Sequence, residues 1–401
     1  MVYNKTIKII MISFILLLSF GCEFKGFKTN NEETSSNLIH MSPEYNRNIH
    51  NDERVPKGII DVLAEYNNRY FDMMHTLEYT TYADLFADDL EATLSEYVTK
   101  LLIETRKEYD LTVDSGNYDI DIISYKVEGD MHYVEFKEDD YLKFSHLDGI
   151  ESILKGINCS LVAKKVDGEY KLVSLHKIQD YFVMFTNDDF STKGKIEVLY
   201  NKYRRELNEV SKVDKENKTV ALNTPYEPIR DFDYEYDRQA AKDYAYKYWH
   251  SRNPEYYDFS NVGGNCQSFA SQMAVAGGIP MDIEGDEWQQ WKFYGLEVED
   301  KEIRSGRSLS WATVDFFYDY LVANVGDSGM VADFDCNRYY SEPGDIIHVG
   351  YDGTPTHTTV VADVYNDYIL INSNTLDMLN FPVDAYAYNT KRLIKILGYN
   401  D

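Results

Sequence analysis

The chain has 401 residues, with 40 Lys+Arg against 68 Asp+Glu and a formal net charge of −28. That length predicts two or three domains, each able to bury a core without help from disulfides. A hydrophobic content of 44% and a charged content of 27% exclude global disorder. The acidic balance excludes nucleic acid as a partner, because phosphate binding needs clustered Lys and Arg, and it disfavours tight adhesion to an anionic surface.

Residues 1–21 read as a secretory signal. Lys5 and Lys8 form a short positive region, and Ile9 to Phe20 is an apolar run too short to span ~30 Å of hydrocarbon. The run ends Ser19-Phe20-Gly21-Cys22, which resembles a bacterial lipobox, with Ser19 where an aliphatic residue is usual. The mature chain is therefore expected outside the cytoplasm, secreted or held at the membrane by a lipid on Cys22. Residues 22–55 are polar and read as a flexible tether. With Cys22 acylated, Cys159, Cys266 and Cys336 remain, an odd number, so one thiol stays free. No Cys/His spacing suggests zinc, and neither a metal nor an organic cofactor is expected.

Residues 56–190 form an expected α+β domain. Ile59, Val62, Leu63, Tyr66 and Tyr70 share one helical face, and Leu90, Leu94, Val98, Leu101 and Leu102 another. The period then changes to two at Tyr118, Ile120 and Ile122. Asp167-Gly168, between Cys159–Val166 and Tyr170–Leu175, signals a two-residue hairpin turn. Helices followed by a meandering antiparallel sheet suggest a curved, NTF2-like cone. His132, His146 and His176 are isolated and read as structural. Residues 191–235 look like a connecting helix and linker.

The last region, 236–401, carries the chemistry. A helix from Tyr236-Asp237-Arg238 stops before Pro254. Gly263-Gly264-Asn265-Cys266 then opens a second helix, with apolar residues at 266, 269, 270, 273 and 274 and an end at Gly277-Gly278. Asn265 reads as its N-cap, which puts Cys266 in the first turn, where free N–H groups and the helix dipole favour a thiolate. The Cys266 N–H is also half of an oxyanion hole. A base is needed, and His357 begins an alternating stretch, His357 to Val364. A turn at Asn366-Asp367 pairs it with Tyr368 to Asn374. With 365 opposite 368, position 361 falls opposite 372 and 359 opposite 374, so His357 and Asn374 share a face, with Asn372 one step further along. Asn374 or Asn372 is then the third member of a Cys-His-Asn triad. Alternation points His348 outward. Trp311 reads as core, and Cys336 falls in a loop-like stretch.

Residues 236–392 resemble the "putative amidase" domain family of bacterial extracellular proteins, a branch of the papain-like cysteine hydrolases related to NlpC/P60 and CHAP modules. The resemblance rests on Tyr236-Asp237-Arg238 with Ala241 and Tyr244-Ala245, and on Gly263-Gly264-Asn265-Cys266 with Phe269, Ser271 and Gln272. Further along come Ser310-Trp311, Gly344-Asp345-Ile346-Ile347, and His357 with Val360-Val361. Asn265 stands where the family carries Asp. The family pattern His-Thr-x-Asp-x-x-Asn reads here Asn374-Thr375-Leu376-Asp377-Met378-Leu379-Asn380, which implies Asn374 as the third triad residue. The resemblance implies a papain-like fold and cleavage of a C–N bond, with a peptide or amide substrate and peptidoglycan peptides as one candidate. A thiol acyltransferase with the same triad, and a non-catalytic surface lipoprotein that binds a partner, are the alternatives.

Overall fold

The computed structural model describes residues 47–50, 53–178, 183–185, 188–286, 288–295, 306–324 and 328–401. The signal segment, Cys22 and most of the expected tether lie outside the described residues. The tether's end does not stay apart from the fold: β1 (Asn48–His50) pairs in parallel with β2, and Val55 is buried in the core.

The N-terminal helices α1 (Lys57–Thr76) and α2 (Asp89–Glu108) form where the helical period places them. Asp88 caps α2 by accepting from the N–H groups of Leu90 and Glu91. The strands β2 (Val113–Glu128), β3 (Met131–Phe144), β4 (Glu151–Val166) and β5 (Glu169–Lys177) then run as an antiparallel meander. At the Asp167-Gly168 turn both residues take positive φ, 51° and 92°, as a tight hairpin requires.

The expected connecting region is mostly one helix, α3 (Lys193–Asn223), of 31 residues. It is a packed element rather than a spacer. Tyr200 lies against Tyr97 of α2 with ring centroids 4.7 Å apart, and Tyr109 donates to Asp214 at 2.6 Å. The same Asp214, together with Asp384, pairs with the buried Arg338, each at 2.6 Å.

The C-terminal region supplies β6 (Tyr234–Glu235), α4 (Arg238–Tyr248), α5 (Cys266–Ala276), the one-turn α6 (Leu309–Ala312) and α7 (Val314–Ala323). It continues with β7 (Gly329–Cys336), β8 (Ile346–Tyr351), β9 (Thr354–Tyr365), β10 (Tyr368–Asn374), β11 (Asp377–Pro382) and β12 (Thr390–Asn400). Cys336 therefore ends a strand rather than lying in a loop.

The two regions expected as separate domains share one mixed sheet. Its order is β1-β2-β3-β4-β11-β10-β9-β8-β12-β6, with β5 on β4 and β7 on β12. The junction is β4 against β11, where Lys155, Leu154 and Ile153 face Asp377, Met378 and Leu379. Two apolar cores follow. One face of the C-terminal strands, with Ile346, Val360, Ile394 and Ile396, packs on α4, α5 and α7 around Trp291 and Trp311. The other face, with Ile347, Val349, Val361, Ile371 and Leu393, packs on the N-terminal region through Leu102, Leu111 and Phe144. Both faces of β8, β9 and β10 are thus buried, which accounts for their continuous apolar runs.

Candidate active site

The Tyr-Asp-Arg segment before α4 anchors the site's frame. Asp237 caps the helix by accepting from Ala240 N at 3.0 Å. Tyr236 donates to Gly344 O at 3.0 Å, and its ring lies where a Cβ on Gly277 would stand, so only glycine fits there. Arg238 donates to Asp345 at 2.8 Å. Asp345 is fully buried and also accepts from Ile396 N and Glu342 N. Desolvation pushes its carboxyl up, and Arg238 and Lys395 pull it back. These contacts tie α4 to the Gly344-Asp345 turn and to β12.

Gly263 and Gly264 carry the chain into α5 with φ of 107° and 112°, in the region glycine alone adopts without strain. Asn265 occupies the N-cap position as expected, but its side chain does not cap the helix. Its Oδ1 accepts from Phe259 N at 3.2 Å, its Nδ2 donates to Asn374 Oδ1 at 2.7 Å, and its own N–H donates to Thr375 Oγ1 at 2.7 Å. The first-turn donors therefore stay uncapped. The N–H groups of Cys266 and Gln267 turn toward the Cys266 sulfur, joined by the N–H of Thr358 on β9, whose hydroxyl lies beside the sulfur and donates to Gln267 Oε1. These donors favour the thiolate, yet burial outweighs them and pushes the thiol above its ordinary value. The lowered value that the helix N-terminus predicts is thus not met in the resting structure. Among the described residues Cys159, Cys266 and Cys336 are all free thiols. Burial raises the other two as well, Cys336 to about 11.

The β9–β10 hairpin differs from the expected register by one residue. Tyr365 pairs with Tyr368, and Asn366 and Asp367 both take positive φ, as predicted. Leu370 then pairs with Asp363 but Ile371 with Val361, so Ala362 is an extra residue on β9. Val360, not Val361, stands opposite Asn372. A one-residue slip exchanges the faces. His357 pairs with Val349 and sits in the phase of Val361, Ile371 and Ser373; Asn374 does not share its face. Its Nε2 lies 3.1 Å from Ser373 Oγ, and its ring meets Tyr386 edge-on at 6.4 Å. Ser373 donates its own proton to Thr375 O at 3.2 Å. Its oxygen then accepts from His357 Nε2–H, which leaves Nδ1 with the lone pair. Desolvation pushes His357 down to about 4, so the ring is neutral.

Asn374 is fully buried and is used elsewhere. It accepts from Asn265 and donates to Tyr248 O at 2.9 Å, holding the Cys266 turn to the end of α4. Asn372 donates to Ala245 O at 3.2 Å and accepts from Asn380 N at 2.8 Å. The structure therefore brings Cys266, Asn265, Thr358 and Asn374 together. Ser373, unnoticed between two asparagines, is the residue on the His357 ring.

His348 does not point outward. It pairs with Thr358, and its ring Nε2 and the Thr358 hydroxyl both meet Gln267 Oε1, at 3.0 and 2.8 Å. It is fully buried, its Nδ1 has no hydrogen-bond partner, and burial pushes it down to about 3. Trp311 is core as expected, and its Nε1 donates to Ser268 Oγ at 3.2 Å. Among the described residues no group of three or more His, Cys, Asp or Glu is placed to hold a metal ion.

Residues 235–397 match the family model described as a putative amidase domain. The uncharacterized protein YhbB of Bacillus subtilis (strain 168) is 33% identical over 147 residues, which covers 36% of this chain and 43% of that protein. The chain thus spans less than half the length of this relative. No solved structure matches.

Proposed function

We propose that this chain is an extracytoplasmic cysteine amidohydrolase, secreted or anchored through Cys22, whose papain-like C-terminal unit cleaves an amide bond. The amidase-type domain match supports the reaction class. The observation that carries the reading is the Cys266 thiol at the start of α5, with three backbone N–H groups directed at its sulfur. Such donors stabilise developing negative charge.

The family resemblance assigns the base to His357, whose ring is neutral, although His357 lies in the phase of Val361 and Ile371, on the sheet face turned from α5. As Cys266 Sγ attacks the carbonyl carbon, its proton passes to the histidine base. The tetrahedral intermediate collapses with loss of the amine, which takes that proton. Water then attacks the thioester, releasing the acid and restoring the thiol. Because both groups rest neutral, the proton moves during attack rather than before it. Peptides of the cell wall are the leading substrate class. His348 shares with Thr358 the sheet face that α5 covers, its Nε2 meets Gln267 Oε1 and its Nδ1 is bare, which supports a second assignment of the base.

The test is hydrolysis of wall-peptide fragments and simple peptide amides by Cys266→Ala, His357→Ala and His348→Ala proteins. Loss of ~10³-fold in the first two with activity kept in the third fits this reading. Loss in His348→Ala alone among the histidines moves the base to His348. Amide products formed in place of acids, when amines are added, identify an acyltransferase. No effect of any substitution on the cellular phenotype leaves a binding lipoprotein.

A further inference from the structure

Among the described residues, Arg307 is a buried cation without a counter-ion. It is 4% exposed, in a chain with 68 acidic residues. The other arginines tied into the C-terminal unit's interior are each matched by a carboxylate, Arg238 by Asp345 and Arg338 by Asp214 and Asp384. Among the described residues no carboxylate stands within ion-pair distance of Arg307. Its Nη1 donates to Ser308 O at 3.2 Å, and its Nε is buried with no hydrogen-bond partner. A guanidinium carries five donors in a fixed fork, shaped for a carboxylate, and burying it unpaired is costly.

Its position joins this cation to the thiol. The guanidinium carbon lies 5.0 Å from the centre of the Phe259 ring. Phe259 in turn belongs to the turn that presents Cys266: its N–H donates to Asn265 Oδ1, and its carbonyl accepts from Gly264 N at 3.1 Å. Ser308, next to Arg307, is fixed by Lys292 N at 3.0 Å and by the Ser310 hydroxyl at 2.8 Å, so the backbone beneath the arginine is held before any ligand arrives.

We propose that Arg307 is a specificity residue that receives a carboxylate of the substrate, so that the enzyme selects amides or peptides carrying a free carboxylate near the bond attacked by Cys266. The inference rests on the amidohydrolase reading and narrows its substrate class. A carboxylate entering this place meets unused N–H donors in a desolvated setting and removes the cost of the lone cation.

The experiment uses N-acetylglycylglycine, its C-terminal amide, and N-acetylglutamic acid α-amide, whose carboxylate is on the side chain. Two readouts are taken on the wild-type protein and on Arg307→Met and Arg307→Lys: protection of Cys266 from iodoacetamide, and the shift in Tm. The expected result is protection by an acid at a concentration ~10-fold lower than its neutral counterpart needs, with a saturable rise in Tm. Arg307→Met loses the preference, and Arg307→Lys, which keeps the charge without the fork, retains part of it. Whichever of the two acids acts identifies a terminal or a side-chain carboxylate. Acid and amide acting alike on the wild type, or an acid effect that persists in Arg307→Met, overturns the proposal. The Tm readout does not depend on thiol chemistry. A Cys266 that resists alkylation even at alkaline pH while the acid still raises Tm therefore defeats the nucleophile assignment and leaves the Arg307 site standing.

Discussion

Titrating Cys266 through its rate of reaction with iodoacetamide puts the buried-thiol geometry under direct test. Burial raises this thiol above the ordinary 9.0, against the pull of the Thr358, Gln267 and Cys266 N–H groups. At pH 7, two units below that value, thiolate is at most about 1% of the thiol, because each unit is a factor of ten. The expected rate constant is small at neutral pH and is still rising at pH 9. His357 rests neutral, pushed down to about 4, so it supplies no charge to the resting thiol, and His357→Ala leaves the inflection where it was. Cys336, pushed up to about 11, and the fully buried Cys159 serve as internal controls that label after Cys266. Peptide mapping by mass spectrometry separates the three sites. An inflection well below pH 8.5 that vanishes in His357→Ala would refute the reasoning, because it would mean that a thiolate–imidazolium pair already exists and outweighs burial.

Ser373→Ala, which frees the His357 ring, is expected to lower kcat by ~10-fold with little change in KM. Asn374→Ala strips Asn265 Nδ2 and Tyr248 O of their partners and is expected to cost about 2–4 kcal/mol of stability in urea unfolding; a ring-orienting Asn374 would reverse the two results. His348 and His357 have values below the ~6.5 of an unfolded histidine, so the unfolded chain takes up protons first as pH falls. The stability they contribute is complete above about pH 6.5 and is lost down to about pH 4 for His357 and about pH 3 for His348. His357→Gln should remove on the order of 3 kcal/mol of that loss, read as the difference between the two proteins' stability-against-pH curves. Asp345→Asn leaves Lys395 and Arg238 with Glu342 as their remaining carboxylate and is expected to cost about 1–3 kcal/mol, measured as a fall in the urea midpoint.

Local pattern carried much of this molecule. The helical faces of α1 and α2, the Asp167-Gly168 and Asn366-Asp367 turns, and a helix opening at Cys266 after two glycines all follow from period and turn chemistry, which need only neighbours in the chain. The candidate nucleophile was legible for the same reason. Its surroundings were not. The extra residue Ala362 lies in Val360-Val361-Ala362, an apolar run with both faces buried, so no alternation marks the bulge that moves Asn374 off the face of His357 and puts Ser373 on its ring. The raised Cys266 thiol and the inward His348 likewise depend on what packs above and below the sheet. The union of the N-terminal meander with the amidase-type region through β4 and β11 was invisible in advance, since pairing across more than 200 residues leaves no periodic trace. Sequence alone determined which groups are available for chemistry. Tertiary structure decided which of them meet, because register and burial are properties of pairs of segments and not of either segment alone.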